Sequence, residues 1–184
     1  MAIKKIAVLI GSLRKGSYNR KVAQAVIKMA PSSLKLEIVE IGNLPLYNED
    51  DDNNPPESYV AFRELIKNFD GLLFVTPEYN RSIPGALKNA LDVGSRPYGQ
   101  SAWQQKPAAI ISVSIGAIGG FAANHHLRQA LVFLDVPTMQ QPEAYIGNAA
   151  NLFEDNGEFK NKKTNEFLEK FMINFATWVE TNCK

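Results

Sequence analysis

The chain is poor in the residues that build covalent or metal-based chemistry. Its 184 residues include one cysteine, Cys183, and two histidines, His125 and His126. One cysteine excludes a disulfide framework, a CxxC redox pair and a cysteine zinc site. It also points to a reducing compartment, the cytoplasm. Neighbouring residues on a helix point in different directions, so the two histidines read as surface or subunit-contact residues rather than a metal pair. Excess charge is missing too. Lys and Arg number 20 and Asp and Glu 19, a net charge of +1. That balance carries no bulk footprint for nucleic acid or anionic membrane, and it argues against a strongly acidic electron carrier. Long apolar runs are absent. The run 6–10 follows Lys4 and Lys5 but is too short for a signal peptide and ends in GSLRKGS rather than a cleavage site. The stretch 107–127 lacks Asp, Glu, Lys and Arg, yet it holds serines, glycines and Asn124. It reads as a strand, a turn and a helix start rather than a membrane span.

What is present is alternation. Strands are predicted at 3–10, 36–41, 72–76, 107–114 and 138–144. Helices are predicted at 17–30, 58–68, 85–94, 120–134 and 164–181. Proline and acidic residues mark 42–56 as a loop, and the polar stretch 148–163 reads as another. Strands alternating with helices imply βαβ units and a parallel sheet covered on both faces. With about 100–200 residues per domain as a guide, residues 1–184 are expected to form one domain. The expected α/β architecture is a flavodoxin-like, doubly wound, five-stranded parallel sheet, order 2-1-3-4-5, with helices on both faces. Ligands bind such sheets at the carboxyl ends of the strands, near the switch in strand order.

The loops at those ends are unusual. After the first strand comes GSLRKGSYN, residues 11–19. Small residues there let main-chain amides approach a ligand, and the following helix start adds its dipole, so the loop suits a phosphate. Ser12, Ser17 and Asn19 add neutral donors, and Arg14 a charge that can fork onto phosphate. Gly11 and Gly16 have P-loop spacing, but Ser17 stands where that motif needs lysine, and GxGxxG is absent. A polar turn capped by Ser17 is the plainer alternative. After the third strand comes TPEYNRSIPGALKNALD, residues 76–92. Pro77 and Pro84 stiffen it, Tyr79 offers an aromatic plane with a polar tip, and Glu78 and Asn80 offer polar contacts to a flat heteroaromatic ring. After the fourth comes SIGAIGGF, residues 114–121, whose glycines let the backbone lie close to a ring or turn tightly into a helix.

These segments, GSLRKGSYN, PEYNRSIPGALKNALDVGSRP and SIGAIGG, strongly resemble the NAD(P)H-dependent FMN reductases, in particular the bacterial chromate, quinone and azo-dye reductases. The resemblance runs from Ile6 to Glu143. It implies one noncovalent FMN per flavodoxin-like subunit. It also implies a homodimer or homotetramer whose partners are small-molecule electron acceptors. By resemblance, Ser12, Arg14, Ser17, Tyr18 and Asn19 hold the FMN phosphate. Pro77, Glu78, Tyr79 and Asn80 contact the ring edge, mostly through backbone, and Ser112, Ser114 and Gly116 lie beside the ring. The segment 85–97 resembles a subunit-contact region. Arg81 stands where some close relatives carry an aromatic, 98–105, with Trp103, varies, and both positions are expected where the nicotinamide or the acceptor approaches. The implied reaction passes hydride from NADPH or NADH through FMN to a quinone, with ping-pong kinetics and no catalytic acid, base or nucleophile. Chromate, azo dyes and nitroaromatics are secondary acceptors. The alternatives are a flavodoxin-type FMN carrier without substrate chemistry and a nonflavin phosphate sensor.

Overall fold

Strand registers, rather than strand lengths, organise this molecule. The computed structural model describes residues 2–154 and 159–183. β1 (Lys4–Ile10), β2 (Leu34–Val39), β3 (Gly71–Thr76), β4 (Ala108–Val113) and β5 (Ala144–Ile146) form a sheet in the order β2-β1-β3-β4-β5. Every neighbouring pair is parallel. This is the flavodoxin-like arrangement expected from the alternation. All residues of β3 and β4 are buried, as continuous apolar runs must be when helices cover both faces.

Alternate side chains of each strand feed two cores. Ile6, Val8 and Ile10 pack with Leu73, Val75 and Ile111 under α1 (Tyr18–Lys28) and α5 (Lys162–Asn182). Ala7, Leu9, Leu72, Phe74 and Ile110 pack on the other face under α2 (Glu57–Lys67), α3 (Gly85–Gly94) and α4 (Phe121–Phe133). Ser17 lies outside α1 as its cap, and Gly120 stands in the same place before α4.

Three local expectations change. β2 starts and ends two residues earlier than predicted, because Leu34 pairs with Lys4 while Ile41 is buried beyond the strand. The fifth strand is not 138–144 but Ala144–Ile146. Thr138 makes only an isolated bridge to Ala108, and Pro142 offers no N–H with which to continue a ladder. Trp103, expected near the acceptor, is fully buried in the second core. Its Nε1–H donates to the Leu91 carbonyl at 2.9 Å, and its ring meets the edge of Phe62 at 5.8 Å. A Cβ on Gly94 would lie 2.5 Å from the indole, so glycine there makes room for it. The predicted loop 148–163 opens with a short 3-10 turn, Ala149–Asn151, and its residues 155–158 lie outside the described ones.

Candidate functional site

The carboxyl ends of β1, β3 and β4 converge on a cleft of about 230 Å3. Ser12, Arg14, Ser17, Tyr18, Asn19, Pro77, Glu78, Tyr79 and Ser114 line it, together with Val113, Ile115 and Ala149. Larger depressions lie elsewhere, one of about 360 Å3 beside Val132 and Asp135 and an open groove of about 1150 Å3 along α1. Neither gathers the three glycine-containing loops.

The first wall is the β1–α1 loop. Gly11 donates its N–H to the Val75 carbonyl at 2.9 Å. A Cβ on it would lie 2.8 Å from Thr76 Oγ1, so the close approach of this loop to the end of β3 requires glycine. Ser17 is buried and caps α1, its Oγ accepting from the Arg20 N–H at 3.3 Å. The main-chain N–H groups of residues 12–16 donate to no group among the described residues. Asn19 is 5% exposed, and its Oδ1 has no partner. A half-turn of that carboxamide presents an N–H donor at the same position. The Arg14 guanidinium is exposed, 5.8 Å from the centre of the Tyr18 ring. Free amides, a helix start and an exposed cation are the donor set that suits an anion such as a phosphate.

The second wall is the β3–α3 loop. Tyr79 and Ser82 exchange two main-chain hydrogen bonds of 2.9 Å. Between them Asn80 and Arg81 have φ of 50° and 63°, the left-handed pair of a two-residue type I′ turn. Tyr79 is half-exposed and lines the cleft; Asn80 stands exposed at the turn tip, outside the lining. The Glu78 side chain does more than the sequence suggested. Its Oε2 accepts from the Ala122 and Ala123 N–H groups at 2.9 and 3.2 Å, and its Oε1 accepts from Arg81 at 3.0 Å. Gly120, in the cap position of α4, has no side chain with which to do this. Glu78 therefore ties this loop to the first turn of α4.

The third wall is the β4–α4 loop. Ser114 lines the cleft, and its Oγ accepts from the Gly116 N–H at 3.1 Å. Gly116 is exposed, and its carbonyl accepts from Gly119 and Asn148. Ser112 is fully buried in β4, its Oγ within reach of the Ala144 carbonyl and the Asn124 amide. Asn80, Ser112 and Gly116 thus adjoin the cleft without lining it. Val113, Ile115 and Ala149 escaped sequence reasoning as site residues. An apolar Ile115 inside a glycine loop was a visible signal, whereas Ala149 follows β5 and carried none. Along α4, His126 Nδ1 lies 3.0 Å from Ser82 Oγ and His125 Nε2 3.0 Å from Tyr145 Oη. Burial, with the Glu143 carboxylate second, pushes the Tyr145 phenol up to about 12. Among the described residues no three His, Cys, Asp or Glu side chains converge on a metal position.

Known proteins resemble this chain in sequence and fold. The model of the family described as NADPH-dependent FMN reductase matches residues 4–151. A quinone reductase of Pseudomonas putida is 64% identical over 181 residues, covering 98% of this chain and 97% of its own. A 2-hydroxy-1,4-benzoquinone reductase of a Burkholderia species is 50% identical, covering 95% and 96%. The solved structure of FerB, a flavoenzyme NAD(P)H:(acceptor) oxidoreductase from Paracoccus denitrificans, superposes with a TM-score of 0.93 at 41% identity, covering 99% of this chain and 100% of its own. The motifs at the three strand ends, the sheet order and these matches all lead to one assignment: the chain belongs to the NADPH-dependent FMN reductase family.

Proposed function

We propose that the chain is an FMN-dependent oxidoreductase that takes reducing equivalents from NADPH or NADH and delivers them to quinones. The observation that carries this reading is the cradle at the β1–α1 loop. Main-chain amides without partners, a buried Asn19 oxygen without a partner and the Arg14 charge suit the terminal phosphate of FMN. When bound, FMN supplies the two-electron chemistry between nicotinamide and acceptor.

The chain's own residues bind and orient. Ser12, Arg14, Ser17, Tyr18 and Asn19 hold the phosphate. Tyr79, Ser114 and Ile115 flank the space for a flat ring, with Pro77, Asn80, Ser112 and Gly116 adjoining it. Glu78 keeps two of the loops in fixed relation through its bonds to α4 and Arg81. No side chain serves as a nucleophile, general acid or general base. One cleft serves both substrates in turn, so the kinetics are ping-pong. Chromate, azo dyes and nitroaromatics are secondary acceptors under the same scheme.

The same reading has the chain working in the cytoplasm as a homodimer or homotetramer, without nucleic-acid or membrane partners. The single cysteine and the near-zero charge support it. So do the exposed apolar side chains Tyr98, Val132 and Phe133, which suit self-association. No helix among the described residues is long and apolar enough to cross a membrane.

The test uses the purified protein reconstituted with FMN. Quinone-dependent NADPH oxidation with parallel double-reciprocal lines is the expected result. A protein that takes up FMN but oxidises neither nicotinamide when quinone is added is a carrier, and the reading fails.

A further inference from the structure

We propose that Tyr18 is a positioning residue whose ring holds the Arg14 guanidinium in the cleft and thereby selects FMN over riboflavin, the same flavin without a phosphate. The proposal rests on the FMN reading above and deepens it. Tyr18 and Arg14 both line the cleft, but they are held very differently. Arg14 is exposed, on a loop whose N–H groups from residue 12 to 16 donate to no group among the described residues. No carboxylate there pairs with its guanidinium. What it meets is the Tyr18 ring, 5.8 Å from guanidinium carbon to ring centre. Tyr18 opens α1 and is half-buried, with its ring packed against the core beneath α1 and α5. The ring is a fixed post and the arginine is the part that needs one.

Ordering a long side chain on an anion costs binding free energy. A ring that already holds the guanidinium removes part of that cost. The two contacts do not compete. A guanidinium meets a ring with its flat face and an anion with its edge, where the N–H donors lie. The ring therefore acts only on a ligand that Arg14 grips. Riboflavin offers no such anion.

Two other charges stand near. Lys21 Nζ lies 6.0 Å from the centre of the same ring. It is shared with Phe153, at 5.9 Å, and Lys21 lines the groove along α1 rather than the cleft. Glu78 also lines the cleft. Its oxygens accept from Arg81, Ala122 and Ala123, so its charge is taken up at the second wall and Arg14 keeps its own for a ligand.

The test titrates FMN and riboflavin into the FMN-free protein and follows quenching of flavin fluorescence. In Tyr18→Leu the Kd for FMN rises about three- to fivefold, the scale of a cation–ring contact near solvent, and the selectivity for FMN over riboflavin falls by the same factor. In Tyr18→Phe, which keeps a ring, both stay within about 1.5-fold of wild type. In an Arg14→Ala background, Tyr18→Leu changes the Kd for FMN by less than about 1.5-fold, because the ring then has no guanidinium to hold. That comparison needs FMN alone, so weak riboflavin binding does not blunt it. Lys21→Gln leaves the selectivity within about 1.5-fold of wild type. Circular dichroism checks that each variant is folded, and Tyr18→Met replaces a Tyr18→Leu that is not. Equal weakening of FMN and riboflavin, Phe behaving as Leu, losses that add in the double variant, or Lys21→Gln reproducing Tyr18→Leu each overturn the assignment. So does a wild type that binds the two flavins equally. A wild type that binds neither flavin instead rejects the FMN reading itself.

Discussion

Removing the Glu78 carboxylate loosens two walls of the cleft at once. In Glu78→Ala, the Ala122 and Ala123 N–H groups lose the acceptor that now lies at 2.9 and 3.2 Å. No replacement is at hand, because Gly120 has no side chain to cap α4. Loss of a helix cap costs about 1 kcal/mol and up to about 2. The Arg81 ion pair adds ~0–1 kcal/mol, since the arginine side of it is exposed to solvent. The combined loss is about 2 kcal/mol. For a chain of this length each kcal/mol moves the midpoint by roughly 2–4 °C, so Tm falls by about 4–8 °C. Glu78→Gln keeps an uncharged acceptor for the helix and falls about half as far. The measurement is thermal unfolding of the FMN-free protein by circular dichroism, which separates the capping effect from cofactor binding. A fluorescence titration with FMN follows, and affinity falls in parallel because the β3 and β4 loops both line the cleft. If FMN-free Glu78→Ala melts within ~1 °C of wild type, then water satisfies those amides equally well and the capping argument is refuted.

Further outcomes follow from the same structure. Arg14→Ala weakens FMN binding by roughly 1.5–3 kcal/mol, the range for a hydrogen bond to a charged group; an unchanged affinity in a quenching titration removes Arg14 from the phosphate cradle. Trp103→Ala costs about 3–5 kcal/mol of stability, as deletion of a fully buried indole does. Quinone selectivity of the protein that remains folded stays as in wild type, and a selectivity change at unaltered stability contradicts the core placement. Tyr145 sets a pH limit. Its phenol is pushed from 10.0 to about 12 in the native state. Between those values the unfolded chain has released the proton and the native chain keeps it, so stability falls as pH rises through that window. The slope is shallow because the ring is partly exposed and screened. Base unfolding of Tyr145→Phe lacks this component, and identical alkaline slopes in the two proteins count against it.

Most of the scaffold was legible in the chain. Short apolar runs ending in glycine or proline produced β1, β3 and β4 at nearly their observed bounds, because a strand covered on both faces must be apolar throughout. Helical spacing found α1 to α5, since one face of each is buried. β5 was misplaced because Thr138 and Met139 are apolar or β-branched enough to mimic a strand, while register with β4 pairs Ala144, Tyr145 and Ile146 instead. The first wall of the cleft was legible because Ser12, Arg14, Ser17, Tyr18 and Asn19 come from one contiguous loop. Pro77, Glu78, Tyr79 and Ser114 were legible too, at the ends of β3 and β4, whereas Val113, Ile115 and Ala149 were not. Ala149 lies after β5, and the turn at Asn80 and Arg81 lacks the glycine that usually announces a left-handed pair.

The sequence by itself determined the sheet, its covering helices, the family resemblance and the nine-residue loop that suits a phosphate. Each of these depends on composition and spacing within a short stretch of chain, where burial and backbone propensity act locally. Only the tertiary structure decided how Glu78 is used. Besides Arg81, its partners lie 44 and 45 residues away on α4, and the need for those two exists only because Gly120 leaves that helix end uncapped. It also moved Trp103 from the supposed mouth into the core, where Gly94 leaves room for its ring. A capping bond or a ring in a cavity is a contact between distant segments. Its energy belongs to the folded arrangement and to neither segment alone.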